Sequence, residues 1–262
     1  MNIIVCIKQV PNTTKVEIDE ETGSLKRSGV ESKMNPYDLY ALEAALEIRE
    51  KLGGKITALT MGPLSAKEII EESFMLGVDE GFILSDRSFA GSDVLATSYT
   101  LCQGVKFIGK YDLIICGKQT TDGDTSQVGP AMAEHLGIPH VSWVKTISRV
   151  TCRQIEVEQD LTNSVAKLVL HYPCLITVET TVNQPRLPSY LLKQASKDKK
   201  ITVLTLEDLG QKNINNFGQL GSPTSVERIF SPASKVDSML FTGEPSVLAA
   251  EMLDRLQTMK FI

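Results

Sequence analysis

The chain is poor in the residues that build metal sites, disulfide frameworks and membrane spans. Its 262 residues include five cysteines, three histidines and one tryptophan. Cys6, Cys102, Cys116, Cys152 and Cys174 are scattered, odd in number and never spaced C-x-x-C, which argues against a disulfide framework and a zinc site. Four of the five lie in apolar segments, where a thiol is ordinarily buried and inert. His135, His140 and His171 have no zinc-ligand spacing and read as structural. No apolar run approaches the roughly 20 residues that cross a bilayer, so membrane insertion is not expected. The opening MNIIVCIKQVP turns polar too soon for a signal peptide, and the cytoplasm is the expected compartment. The net charge of -5 lacks the basic excess of a nucleic-acid binder. There is no G-x-G-x-x-G, which weakens a standard dinucleotide dehydrogenase, and no G-x-S-x-G, which weakens a serine hydrolase. Gly104, Gly109 and Lys110 imitate a Walker A loop, but Tyr111 replaces its Ser or Thr and the segment precedes a strand.

What is present is an apolar fraction of 42%, enough for one large α/β domain with extensions or for two small domains. The most informative stretch is residues 113–139, LIICGKQTTDGDTSQVGPAMAEHLGIP. Leu113, Ile114 and Ile115 form an apolar run that ends at Gly117. A polar loop follows, with Gln119, Asp122, Gly123, Asp124 and Thr125. Val128, Met132 and Leu136 then recur at helical spacing, and Gly137 with Pro139 supplies a stop. The pattern is strand, loop, helix. The first turn of such a helix offers backbone N–H groups and the positive dipole end to an anion, usually a phosphate.

The same alternation runs through the first 145 residues. Strands are expected at residues 2–8, 55–61, 81–84, 112–117 and 140–144. Asn35-Pro36 starts a helix that runs to Gly53, with Asn35 as N-cap. Further helices follow Gly62-Pro63 and Gly91-Ser92-Asp93, and residues 16–26 read as a small hairpin. Repeated β-α units predict a doubly wound, open, mostly parallel α/β sheet with helices on both faces. Ligands of such sheets bind beyond the carboxyl ends of the strands, where strand order reverses. Lys8-Gln9-Val10, Met61-Gly62-Pro63 and residues 116–125 should converge there, with Asp93 after the third strand.

After residue 142 the period changes. Residues 147–157 and 165–170 read as an antiparallel hairpin and 173–178 as another strand, a small antiparallel extension of the sheet or a sheet packed on it. The expected division is a nucleotide-binding domain over residues 1–182 and a partner-embracing C-terminal arm over 183–262. The arm is broken by Pro185, Pro188, Pro223 and Pro232, and ends in an amphipathic helix with Leu248, Met252 and Leu256. Residues 203–209 and 226–230 are short ordered candidates within it. Leu187, between Arg186 and Pro188, is a candidate anchor for a partner. Asp122 and Asp124 fit a metal pair, an acid/base pair, a solvated loop pair or acceptors for ligand hydroxyls. The residues alone thus reach an α/β protein that binds a nucleotide-like anion, shows no catalytic constellation and carries a partner-binding arm.

Five motifs in order sharpen this: VCIKQVPN at 5–12, MNPYDLYALEAAL at 34–46, GSDVLAT at 91–97, CGKQTTDGDTSQVGPAMAEHLGIP at 116–139 and RLPSYLLKQASKDKK at 186–200. With them the chain resembles the β subunit of electron transfer flavoproteins nearly end to end, and specifically the electron-bifurcating, two-FAD group. The resemblance implies a heterodimer with an FAD-containing α subunit, embraced by the arm and C-terminal helix. It implies an adenine nucleotide on this chain: FAD that accepts a hydride from NADH in bifurcating members, structural AMP in simple carriers. It places the nucleotide against Cys6 and Lys8, Asn35, Met61 and Gly62, and Asp93 and Thr97. In the loop and helix it adds Cys116, Gly117, Gln119, Asp122, Gly123, Asp124, Thr125, Gln127, Val128 and Gly129. No side chain is implied as catalytic or as a metal ligand, because the cofactor carries the chemistry. Leu187 is implied as the docking anchor for a flavin dehydrogenase such as an acyl-CoA dehydrogenase, with ferredoxin or flavodoxin as further partners. FAD is favoured because Gly123 lets the backbone approach a pyrophosphate and adopt φ > 0, with Thr125 and Ser126 as hydroxyl donors. A universal-stress-type nucleotide sensor would share the sheet but does not account for the arm. An ATP-pyrophosphatase wants an S-G-G-x-D-S-like loop where this chain has Lys8-Gln9-Val10-Pro11.

Overall fold

The computed structural model describes residues 1–12, 32–211, 213–227 and 239–262. The hairpin expected at 16–26, and the end of the segment expected at 226–230, lie outside the described residues.

The first strand, β1 (Asn2–Cys6), is an apolar run buried on both sides, as a central parallel strand must be. β2 (Gln9–Pro11) pairs antiparallel with β3 (Ser32–Met34) in a separate two-stranded ribbon. Helix α1 (Pro36–Leu52) starts on a proline and stops at Gly53, φ 69°. β4 (Lys55–Met61), α2 (Lys67–Leu76), β5 (Glu80–Leu84), α3 (Val94–Ile108), β6 (Leu113–Gly117) and α4 (Val128–Leu136) follow the expected alternation. Gly77 and Gly137 close α2 and α4 in the left-handed conformation. Then come β7 (His140–Val150), β8 (Gln154–Leu161), β9 (Ser164–His171), β10 (Cys174–Val178), α5 (Tyr190–Ala195), β11 (Ile201–Leu204) and α6 (Pro245–Thr258).

One nine-stranded sheet runs β11-β5-β4-β1-β6-β10-β7-β8-β9. It is parallel from β11 to β7 and antiparallel from β7 to β9. The antiparallel strands therefore extend the same sheet. Side-chain alternation along β1 sends Ile3 and Val5 into a core under α1 and α2, and Ile4 and Cys6 into a core under α3 and α4. From β1 the chain builds outward through β4 and β5, then crosses back to β6 on β1's other side. The reversal of strand order lies between β1 and β6, the expected ligand position of an open α/β sheet.

Tertiary packing adds three details. β10 inserts between β6 and β7, so β7 does not adjoin β6. Two segments beyond residue 183 pack on the sheet and its core. β11 pairs in parallel with β5 and buries Leu204, while Phe217 packs against Phe89 and Tyr99 at centroid distances of 5.5 and 5.3 Å. The open edge of β5 and the apolar face of α3 draw these residues into the domain, although they are too short to show a period. By contrast α6 has no buried residue. The Walker-like Gly104 is a packing glycine in α3: a Cβ there would lie 2.9 Å from Leu84 Cδ1. Among the described residues no helix is long and apolar enough to cross a membrane.

Candidate functional site

The loop between β6 and α4 stands at the β1/β6 switch point, and its shape is set by groups on three elements. Gly117 ends β6 against the start of α1: a Cβ there would lie 2.5 Å from Asp38 Oδ1 and 2.8 Å from the Tyr37 carbonyl carbon. Only glycine admits that approach. Asn35, fully buried, does not cap α1 as expected. Its Nδ2 donates to Asp38 Oδ1 and to the Gln119 carbonyl, both at 2.9 Å, and its Oδ1 accepts from the Thr121 N–H at 3.3 Å. The cap side chain is used to carry the loop instead.

Asp38 lies beneath it, 4% exposed, and accepts the Lys8 N–H at 2.7 Å. Burial pushes its carboxyl up to about 7, against the opposing pull of Asn35, the Lys8 N–H and the Lys8 charge. The Lys8 ammonium reaches over the loop and donates to both Asp122 oxygens at 2.7 and 2.8 Å. Partial burial would raise Asp122, but the Lys8 hydrogen bond and charge hold it below the usual carboxylate range. Gln119 Nε2 donates to Tyr37 Oη at 3.3 Å and closely to the Asp124 carboxylate, while its Oε1 accepts from Ser126 Oγ at 3.3 Å. Of the roles open to the two loop aspartates, the structure thus gives Asp122 to Lys8 and Asp124 to Gln119.

The expectation of a left-handed Gly123 is corrected. The positive φ angles fall on Asp124 (53°) and Ser126 (57°), two unfavourable non-glycine conformations held by the Gln119 contacts. Gly123 offers room instead: an added Cβ would meet only Thr120 Oγ1, at 3.3 Å. Gln127 opens α4 without a side-chain cap, so the first-turn amides of Val128 and Gly129 are presented to an outside acceptor. Gly129 lets this turn press on β10, where a Cβ would come 2.5 Å from Thr177 Cγ2. An uncapped helix start beside an exposed loop with room at Gly123 and a hydroxyl at Thr125 fits a phosphate group.

Below the loop, Cys6 and Cys116 face each other across the β1/β6 register and are buried. A hydrogen bond with Cys116 and burial push the Cys6 thiol well up, so it lines the floor as a neutral group. At the loop's start Lys118 pairs with Glu179 at 2.7 Å and sits 5.0 Å from the centroid of Trp143, which is itself at φ 59°. Met61 and Gly62 end β4 on the other side of β1, with the Gly62 N–H donating to Leu84 O at 3.0 Å. Asp93 is committed elsewhere. It caps α3 through the Leu95 and Ala96 N–H groups, and its other oxygen accepts from Thr224 N and Oγ1. Burial would raise this carboxyl, but those bonds hold it low. Thr97, one turn on, bonds back to the Asp93 carbonyl. The structure therefore ties Lys8, Asn35, Gly117, Gln119, Asp122 and Asp124 into one assembly, and places Asp93 and Thr97 at a capped helix start. Sequence reasoning missed Tyr37 and Asp38. The available signal was the acidic residue three places after Asn35, on the side of α1 facing the sheet.

Leu187 is 88% exposed. Its neighbour Arg186 is clamped to α1: Nε and Nη2 donate to Glu43 at 2.9 and 2.8 Å, and Nη1 to Glu50 at 2.7 Å. Asn183 donates to the Tyr40 carbonyl, and the Ser189 N–H to Met75 O. Tyr190 and Leu191, 69% and 78% exposed, continue the apolar ridge from Leu187.

Comparison with known proteins places these features in a family. The family model described as the electron transfer flavoprotein domain matches residues 22–209. The chain is 39% identical to the electron transfer flavoprotein subunit beta of Thermoanaerobacterium thermosaccharolyticum, over 98% of each chain. It is 38% identical to Protein FixA of Azorhizobium caulinodans, over 97% of this chain and 95% of that one. It is 40% identical to the caffeyl-CoA reductase-Etf complex subunit CarD of Acetobacterium woodii, over 93% and 92%.

Proposed function

The chain belongs to the electron transfer flavoprotein family, among its β subunits, and from that premise we propose that it binds FAD in the β6–α4 loop and serves electron bifurcation with NADH as donor. The observation that carries the reading is the loop itself. It sits at the strand-order reversal, opens onto an uncapped helix start and leaves space at Gly123. A dinucleotide needs room for a second phosphate, and Gly123 supplies it without a left-handed backbone. The bound flavin would supply the redox chemistry. This chain's residues bind and orient: the α4 amides and Thr125 hold phosphate, while Lys8 and Asn35 fix the loop and Gln119 holds Ser126. The buried Cys6 and Cys116 side chains give the pocket an apolar floor.

The partner in this reading is an FAD-containing α subunit. It would cover α6, whose Val247, Met252 and Leu253 are all at least half exposed. Leu187 would dock a flavin dehydrogenase. The second reading is a simple electron carrier with structural AMP, for which the same uncapped helix start would hold the one phosphate. The two are separated by counting flavin per heterodimer and identifying the acid-released nucleotides by chromatography. Two FAD and no AMP supports bifurcation; one FAD and one AMP leaves the simple carrier.

A further inference from the structure

Asp38 has no part in phosphate binding as described, yet it is the most deeply placed charged group under the loop. Two donors converge on it, the Lys8 N–H at 2.7 Å and Asn35 Nδ2 at 2.9 Å, and the Gly117 backbone presses on its Oδ1, where an added Cβ would lie 2.5 Å away. These contacts come from the chain just past β1, from the residue before α1, and from the last residue of β6. Each then leads to the loop. Asn35 holds Gln119 O and Thr121 N, Lys8 holds Asp122, and Gly117 is the loop's point of departure. We propose that Asp38 is the positioning residue of the nucleotide loop, a buried carboxylate whose two oxygens lock β1, α1 and β6 in the relation that shapes the phosphate-binding turn. The inference rests on the nucleotide reading given above.

The chemistry requires a group that only accepts. A carboxylate has two acceptor oxygens and no donor, whereas an amide would turn an N–H2 toward Lys8 N or Asn35 Nδ2. A buried carboxylate is also costly, and its raised affinity for protons reflects that cost. An apolar side chain would be cheaper to bury here, but would leave the Lys8 N–H and Asn35 Nδ2 without this acceptor. Groups of this kind cluster at functional sites. The titratable groups around it are Lys8 and Cys6 at β1, with Cys116 on β6 facing Cys6 and Asp122 reached through Lys8.

The test uses the full chain with its α subunit, freed of nucleotide and titrated separately with AMP and FAD. Asp38→Asn should weaken binding by about 10- to 100-fold, the range for a hydrogen bond to a charged group. Asn35→Ser, which cuts the route from Asp38 to the loop, should weaken it in the same direction. Leu170→Ala, in the core of the antiparallel extension, supplies a destabilised control with binding unchanged. Amide exchange separates positioning from general stability: the Thr121 and Gly123 amides should exchange faster in Asp38→Asn, with those of β4 unchanged. A wild-type heterodimer that binds both probes, with Asp38→Asn and Asn35→Ser binding equally well, overturns this inference alone. So does a Leu170→Ala control that loses as much affinity. A wild-type heterodimer that takes up neither probe overturns the nucleotide reading, and this inference with it.

Discussion

Replacing Arg186 by alanine separates a buried ion pair from a surface one. Glu43 is only 6% exposed on α1, and Arg186 meets it with Nε, Nη2 and its backbone N–H at 2.9, 2.8 and 3.0 Å. Truncating one partner of a buried pair leaves an unpaired charge in low dielectric, at about 3–5 kcal/mol. Two features reduce this. The Arg186 side chain is 36% exposed, and its backbone N–H would still donate to Glu43. The contact with Glu50, whose side chain is 55% exposed, adds less than about 1 kcal/mol. The expected loss for Arg186→Ala is therefore about 2–3 kcal/mol, read as a lower urea midpoint at constant slope. Glu43→Ala combined with Arg186→Ala should cost less than the sum of the single changes, because no orphaned carboxylate remains. Most of the loss should persist in about 1 M salt, where exposed pairs are screened. Protease cleavage in residues 186–200 should also speed up in the variant. A loss below about 0.5 kcal/mol, or one abolished by salt, would show a surface pair and refute the idea that the clamp fixes the Leu187 ridge.

Three further outcomes are expected. Leu187→Ala should cost about 2 kcal/mol or more of partner affinity, near thirtyfold, with nucleotide content unchanged; unaltered reduction kinetics with the partner would reject Leu187 as anchor. Gly123→Asp should fold normally, since an added Cβ would meet only the Thr120 hydroxyl, at 3.3 Å, and lower FAD content more than AMP content by placing a carboxylate beside the second phosphate; equal loss of both would point to a single-phosphate site. For Asp38, an acid held above its ordinary value costs stability as pH rises from 3.8 to about 7 and no further beyond. Relative to Asp38→Asn, the wild-type chain should lose about 4 kcal/mol across that window, and a flat difference would mean that the Lys8 and Asn35 donors keep the carboxyl near its ordinary value.

Much of the architecture was legible in the chain. The apolar runs at 2–8, 55–61, 81–84 and 112–117 became β1, β4, β5 and β6, and the Asn35-Pro36 start and Gly53 stop of α1 held to the residue. These depend on short-range rules: period, the fixed φ of proline, the left-handed freedom of glycine. The polar loop before α4 was legible for the same reason, since strand, loop and helix are contiguous.

Tertiary structure decided what depends on distant partners. β11 became an edge strand because β5 offered an unpaired edge, and β10 entered between β6 and β7 through pairing that no local pattern encodes. Asn35 looked like a cap because the helix start follows it, but the Gln119 carbonyl and Thr121 amide, more than eighty residues away, drew its side chain into the loop. Gly123 was the natural candidate for a positive φ, yet Asp124 and Ser126 carry it because Gln119 holds their side chains. Asp93 was read as the start of a helix, and only the fold brought residues 222–224 across it. Periodicity is written in neighbouring residues and survives in any context. The partner of a hydrogen bond and the burial of a carboxylate exist only once segments a hundred residues apart have met.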